Sequence, residues 1–422
     1  MQFPQVALAC LLAAFVSCAG AQTSASGPLT LTQGMRLAET GNAAVRSREA
    51  QLAAAEGARR EAAAPFFNNP ELSGEATRRR APDGTASEWK AGIAQSFEIA
   101  GQQGRRREAA AAALDALRAE IDDSRRQARA DAATRFYAVL AAQRRLQVEQ
   151  RSVELFERTA QAVARRRAAG EDTRLDANVA LIEAERARNA LARAGEQLID
   201  ARVELATVLQ LPTATMPDVA GDIAEPPAAV LPYSLDRLQA AARELPRQRA
   251  LAARHDAAQA RLAVASAGRY PDVTVGVQVG REGVSSARER LTTLALSVPL
   301  PIFKRNDAAI GEALTALNQA EIDRTVGMRD AQAQVQRLWS RLESQRTRVQ
   351  RLQQTMLQAA TDNQQLAARS RQAGQIGLLE QLIVNRQALD AERDLIDALA
   401  DFHATRIDIE NATAWPLEGS TR

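Results

Sequence analysis

Tyr270-Pro271-Asp272-Val273-Thr274-Val275-Gly276-Val277-Gln278-Val279-Gly280 is the stretch on which the fold turns. Along an extended chain Val273, Val275, Val277 and Val279 face one way, and Thr274, Gly276, Gln278 and Gly280 the other. Alternation with period two over about ten residues predicts a strand with one apolar and one wet face. The returning stretch repeats it, with Leu294, Leu296, Val298, Leu300 and Ile302 against Ala295, Ser297, Pro299 and Pro301. Strands are therefore expected over about 271–281 and 291–302.

The same passage occurs earlier in the chain. Asn69-Pro70-Glu71-Leu72 stands where Tyr270-Pro271-Asp272-Val273 stands later, and Gln95-Ser96-Phe97-Glu98-Ile99 answers Ser297-Val298-Pro299-Leu300-Pro301-Ile302. Basic turns follow each, Arg105-Arg106-Arg107 and Lys304-Arg305, and Arg167-Ala168-Ala169-Gly170 matches Arg371-Gln372-Ala373-Gly374. Five residues past each glycine come Leu175-Asp176 and Leu379-Glu380. Landmarks in one order at one spacing mean a duplicated unit. The first repeat is placed at 22–210, with strands about 70–80 and 88–99, a connector at 211–232, the second repeat at 233–415 and a tail at 416–422.

Each repeat reads as helix, two strands, long helix, sharp break, helix. Leu31 to Ala64 and Ser234 to Gly268 are expected as the first helices, ending before Pro65 and Pro271. Arg105 to Ala169 reads as an almost unbroken helical pattern, Asn306 to Ala373 repeats it, and Leu175 to Leu209 and Leu378 to Thr413 read as the helices after the breaks. A run of about 65 residues makes a rod of roughly 100 Å, about three times a bilayer's hydrocarbon thickness. Composition agrees: 46% of residues are hydrophobic but only 4% aromatic, and alanine with Arg, Glu, Gln and Leu is the mix of long packed helices. The 54 basic and 51 acidic residues are interspersed, which argues against nucleic acid as a partner.

A soluble hairpin lying on the helices would show the same alternation, but strand length fits a tilted membrane span of about 9–11 residues. The hairpin tips, Arg79 to Ala86 and Arg281 to Arg290, are charged and longer than a tight turn needs. Four strands cannot close a barrel, for which about eight is the minimum, and an open edge in lipid is not tolerated. Strands from several chains must then share one barrel. The rival is a periplasmic coiled-coil scaffold or adaptor without a barrel.

Leu8 to Val16 followed by Ala19-Gly20-Ala21 reads as a signal peptide over 1–21, cut before Gln22, although Met1 to Gln5 carries no Lys or Arg. Lipidation at Cys18 is the second reading, with Phe15 a poor residue for it. Cys10 and Cys18 are the two cysteines, so the expected mature chain has none. No later segment is a transmembrane helix.

No nucleophile–base pair, phosphate loop or metal cluster is present, and Asp122-Asp123 diverge on a helix, so no enzyme and no cofactor are expected. His255 and His403 each stand alone without a partner at ligand spacing and read as packing or surface residues. The run Arg165-Arg166-Arg167 reads as a solvated helix end favoured by the dipole, or as a partner for an acidic adaptor surface.

The doubled layout resembles the TolC-like outer-membrane efflux proteins. Ala94-Gln95-Ser96-Phe97-Glu98 with Gly101-Gln102-Gln103-Gly104-Arg105, and the ending Ile409-Glu410-Asn411-Ala412-Thr413, are similar to its heavy-metal (cobalt–zinc–cadmium) branch. The resemblance implies a mainly α fold with a membrane β part: a homotrimer whose 12-stranded β-barrel continues into a periplasmic α-helical barrel. It implies an outer-membrane exit duct, with a periplasmic adaptor and a proton-driven inner-membrane pump of the RND type as partners. Divalent metal cations are the expected cargo, and organic drugs or toxins the alternative. Gly170 and Gly374 would be the periplasmic tips, and Ile376-Gly377-Leu378 resembles the adaptor-docking motif, from which Gly170-Glu171-Asp172 departs. Asp176 and Glu380 align with acidic residues that constrict the aperture, and Ile383 stands where other members carry a second acid. Both carboxylates also fit as ordinary helix-start residues.

Overall fold

The computed structural model describes residues 27–81, 84–212, 216–223, 233–283 and 287–414. The expected signal peptide, Cys18 and the tail lie outside the described residues.

Strands β1 (Glu71–Ala81), β2 (Gly84–Phe97), β3 (Val273–Glu282) and β4 (Glu289–Ser297) form one antiparallel sheet in chain order. The repeats meet along β2 and β3, with Ile93 opposite Val277. Leu72 lies opposite Ile93, and Val277 opposite Leu294, so one register line carries Leu72, Ile93, Val277 and Leu294 across all four strands. All four are exposed, at 85%, 54%, 44% and 75%. The opposite face carries Ser73, Gly92, Gln278 and Thr293 in line, with ion pairs Lys90–Glu282 and Arg79–Glu88. Space is tight there: a Cβ on Gly92 would lie 2.5 Å from Gln278 Cγ. The outer edges of β1 and β4 have no partner strand among the described residues.

Two strand expectations need correction. β4 ends at Ser297, not near 302, because Pro299 and Pro301 cannot donate to a ladder even though the apolar alternation runs on. The first tip is not long: β1 and β2 pair up to Ala81 opposite Gly84, so the charges of Arg78, Arg79 and Arg80 lie within the strand.

The first helices are broken in both repeats, against the expectation of single helices. Leu31 to Ala64 divides into α1 (Leu31–Gly41), α2 (Ala43–Ala50) and α3 (Leu52–Ala62). Asn42 takes an extended ψ of 132° and its side chain accepts from Ala44 N at 2.9 Å, capping α2 and ending α1. Ser234 to Gly268 divides into α6 (Leu235–Arg243) and α7 (Pro246–Ala267). Leu245 is extended at ψ 145° because Pro246 follows it and starts the next helix.

Helix α4 (Gln102–Ala168) runs unbroken for 67 residues, about 100 Å, and α5 (Arg174–Val208) returns beside it. The counterpart of α4 does not run unbroken. It comprises α8 (Asp307–Arg351), a six-residue π turn at Leu352–Leu357 and α9 (Gln358–Gln372), before α10 (Leu378–Thr413). Both long helices begin with a left-handed residue, Gly101 at φ 75° and Asn306 at φ 61°. Glycine and asparagine are the residues that enter this region at least cost, so a shared geometry survives a change of residue.

The core lies midway along the rods and draws on both repeats: Phe136 and Val139 of α4, Leu205 of α5, Leu238 of α6, Leu342 of α8 and Phe402 of α10. The connector joins it, with Val219 and Ile223 buried and Leu29 N donating to Asp218 O at 2.7 Å. A second core nearer the breaks packs Val148, Phe156 and Val163 against Ala180, Ala184 and Ala187 of α5 and Leu382 and Leu389 of α10. Alanine on α5 lets its backbone approach α4 closely, which suits thin layers of helix.

Candidate functional site

The two helix breaks are built alike. Gly170 at φ 81° and Gly374 at φ 73° end α4 and α9 in the left-handed region. Glu171 N donates to Arg166 O at 2.9 Å, and Gln375 N to Ser370 O at 2.8 Å, closing the same C-terminal motif twice. Each following helix starts under a carboxylate. Asp176 Oδ2 accepts from Thr173 N at 3.0 Å and Thr173 Oγ1 at 2.6 Å, while Thr173 Oγ1 accepts from Asp176 N at 3.1 Å. Glu380 accepts from Gly377 N. The Thr173 hydroxyl, its backbone N–H and the nearby Arg371 hold the Asp176 carboxyl below the usual range for Asp. Asp176 and Glu380 thus both act as caps, and no contact joins them among the described residues.

What does join the breaks is an ion triad that sequence reading missed. Arg371 Nη2 donates to both Asp172 oxygens, at 2.9 and 3.1 Å, and Arg371 Nη1 to Ile376 O at 3.4 Å. Arg166 Nε lies 3.3 Å from Asp172 and 3.4 Å from Glu171. The Asp172 side chain is 6% exposed and that of Arg371 15%. The departure from the docking motif at Gly170-Glu171-Asp172 therefore supplies the acid that ties one break to the other. Further up, Arg386 Nε donates to Glu183 at 2.8 Å, and Arg393 to Glu149 at 2.9 and 2.6 Å, both acids being buried. Second-repeat arginines on first-repeat acids thus recur along the joint.

Gly374 and Gly377 are exposed, Ile376 is half-buried, and Leu378 is buried in the lower core. Leu175, Leu379 and Ile383 are exposed, at 72%, 65% and 46%. His403 is buried, stacked on Tyr137 at 4.4 Å, with Arg406 donating to the Tyr137 hydroxyl at 2.7 Å. His255 sits 3.2 Å from Asp256 and 3.5 Å from Glu321. Among the described residues no group of three or more His, Cys, Asp or Glu is placed to hold a metal ion, and no helix is long and apolar enough to cross a membrane.

The family model for outer membrane efflux proteins matches the chain twice, over residues 35–209 and 238–414, which is more than four-fifths of its length. The chain belongs to the outer membrane efflux protein family. It is accordingly an efflux channel protein of the outer membrane. A similar curated protein is the cobalt-zinc-cadmium resistance protein CzcC of Cupriavidus metallidurans, 28% identical over 376 residues, 89% of this chain and 85% of that one. Among solved structures, CusC superposes with a TM-score of 0.75 at 17% identity, covering 91% of each chain. The open state of the Neisseria gonorrhoeae MtrE outer membrane channel superposes at 0.75 with 18% identity, covering 91% of this chain and 88% of that one. These likenesses establish the fold of the efflux family for this chain.

Proposed function

We propose that this efflux channel is a homotrimer, and that it is the passive exit duct of a tripartite, proton-driven pump exporting divalent heavy-metal cations. The observation that carries the oligomer is the sheet, which among the described residues has four strands, an apolar exposed row and two unpaired edges. Unpaired strand edges in hydrocarbon cost several kcal/mol per group, roughly, so edges must pair between chains. Three copies of four strands make a barrel of 12, wide enough for an aqueous lumen. The long helices would then form a tube reaching about 100 Å below the barrel. A periplasmic adaptor would meet the breaks at Gly170 and Gly374, through Ile376 and Gly377, with Leu378 anchoring that segment from beneath. Asp176 and Glu380 would ring the aperture there, and Ile383 leaves that ring a single carboxylate deep.

The metal cargo is supported by the likeness to the cobalt-zinc-cadmium resistance protein. Such a duct holds no ion tightly, so it works by field and geometry and not as an enzyme. The test deletes the gene and compares sensitivity to zinc, cobalt and cadmium with sensitivity to dyes and detergents. Raised metal sensitivity is expected. Unchanged metal sensitivity with raised sensitivity to organic compounds would give the duct a different cargo.

A further inference from the structure

At the hairpin end of the sheet, away from the helices, charge is sorted by face. The face with Leu72, Ile93, Val277 and Leu294 continues along the strands to Arg78 and Arg80 of β1, Trp89 of β2, Arg281 of β3 and Arg290 of β4. The strand acids of that end, Glu75, Glu88, Glu282 and Glu289, all lie on the other face, where Glu88 pairs with Arg79 and Glu282 with Lys90. Arg78, Arg80 and Arg290 are exposed and Arg281 half-buried, and none of the four is paired with a carboxylate among the described residues. Arg281 stands directly opposite Arg290. Like charges facing each other on neighbouring strands repel, their Cβ atoms being about 5 Å apart. Among the described residues nothing negative on that face relieves the repulsion. Trp89, 48% exposed, shares the register line of Arg281 and Arg290. A tryptophan bordering an apolar band is the mark of a membrane interface, with the indole at headgroup level. Val277 and Arg281 are four residues apart, about 13 Å along the strand and roughly 10 Å in depth at a tilt of about 40°. That places the guanidinium groups at the rim of an apolar band about 25 Å tall.

We propose that Arg78, Arg80, Arg281 and Arg290 form an arginine ladder on the lipid side of the barrel that binds the phosphate groups of an anionic glycolipid in the outer leaflet. The inference rests on the shared-barrel reading given above, which turns this face to lipid and the hairpin tips away from the periplasm. Guanidinium suits such a ligand, because its planar fork donates two parallel hydrogen bonds to a phosphate and it keeps its charge at every physiological pH. A phosphate monoester lodged between Arg281 and Arg290 accepts from both and turns their repulsion into a bridge. Snorkelling arginines at an interface are common, but water alone would favour acids among them; their confinement to the opposite face fits a negatively charged neighbour. With β4 of one chain beside β1 of the next, Arg290 faces across the seam the strand that bears Arg78 and Arg80 in the neighbouring copy. The bound lipid then spans that seam.

The test measures, by native mass spectrometry of the full chain in detergent, binding of lipid A with its two phosphate monoesters against the same lipid with both phosphates removed. The phosphorylated lipid is expected to bind about tenfold or more tightly, the least that one charge-assisted contact predicts. R78Q/R80Q/R281Q/R290Q should lose that preference while keeping its oligomeric state, and R79Q on the wet face should retain it. Equal binding of the two lipids, a preference undiminished in the fourfold variant, or displacement of the lipid by inorganic phosphate at equal concentration would overturn the ladder. The barrel reading beneath it is checked separately, by quenching of Trp89 in vesicles of brominated phospholipid with Trp339 and Trp415 replaced by Phe. Quenched Trp89 without a phosphate preference sinks the ladder alone, whereas unquenched Trp89 sinks the lipid-facing sheet and the ladder together.

Discussion

Replacing Arg371 by Gln removes the bidentate partner of a carboxylate that is almost fully enclosed. Asp172 then keeps one cation, Arg166, at 3.3 Å. Removing one member of a buried pair costs about 3–5 kcal/mol, because a charge is left buried without compensation. Arg166 offsets part of that, which puts the expected cost near about 3 kcal/mol per chain at the lower end of that range. At roughly 1.4 kcal/mol per factor of ten, the population with the two breaks apart should rise on the order of a hundredfold. The readout is local, because the cores above are untouched. Single-channel recordings of R371Q in planar bilayers should show a higher open probability than the parent protein. Hydrogen exchange at residues 170–173 and 374–377 should accelerate by a similar factor while exchange in the central core stays fixed. Arg371→Lys should recover only part of the effect, since an ammonium lacks the planar fork. Unchanged conductance together with unchanged exchange at the breaks would refute the tie.

Three further outcomes follow from the same geometry. Asp176→Asn should loosen the first break by about 1 kcal/mol through loss of the reciprocal cap. Because hydrogen bonds hold the Asp176 carboxyl below its ordinary range, its contribution is complete above the unfolded value of about 3.9 and is lost as pH falls through the lower folded value; acceleration of amide exchange at 171–174 below about pH 4 should vanish in D176N. Ile93→Arg places a cation in the middle of the exposed apolar row, at a cost of about 2–4 kcal/mol if that row faces lipid, and should reduce assembly in lipid far more than Gln278→Arg on the opposite face. Gly374→Ala forces a side chain into φ 73°, costing about 1–2 kcal/mol, and should destabilise the second break although a Cβ there meets nothing within 4 Å.

Much of the architecture was legible because duplication lets each signal be read twice. The glycine breaks were visible through Gly170 and Gly374, and the strands through valines spaced by two. Some misses had visible signals. Pro246 marked the break between α6 and α7, and Pro299 and Pro301 marked the end of β4, but strong helical or alternating patterns masked them. Asn42 capping α2 is a local preference of modest strength, below what a long alanine-rich run suggests. The π turn at Leu352–Leu357 contains neither Gly nor Pro, and nothing in its sequence marks it. The Asp172–Arg371 tie joins residues 199 positions apart. In the sequence its acid stands out only as a departure from a motif, since pairing at that range is set by how helices cross.

The most direct measurement addresses the open edges of the sheet. Cys10 and Cys18 are the two native cysteines, and the protein without introduced cysteines serves as the background control. Ser73→Cys in β1 is combined in turn with single cysteines along β4, from Arg290 to Ser297, and membranes are oxidised. If β1 of one chain pairs with β4 of the next, one register should give covalent dimers and trimers, with neighbouring positions on the opposite face silent. Absence of intermolecular disulfides at every register, from protein that fractionates with the outer membrane, would contradict a barrel shared between chains.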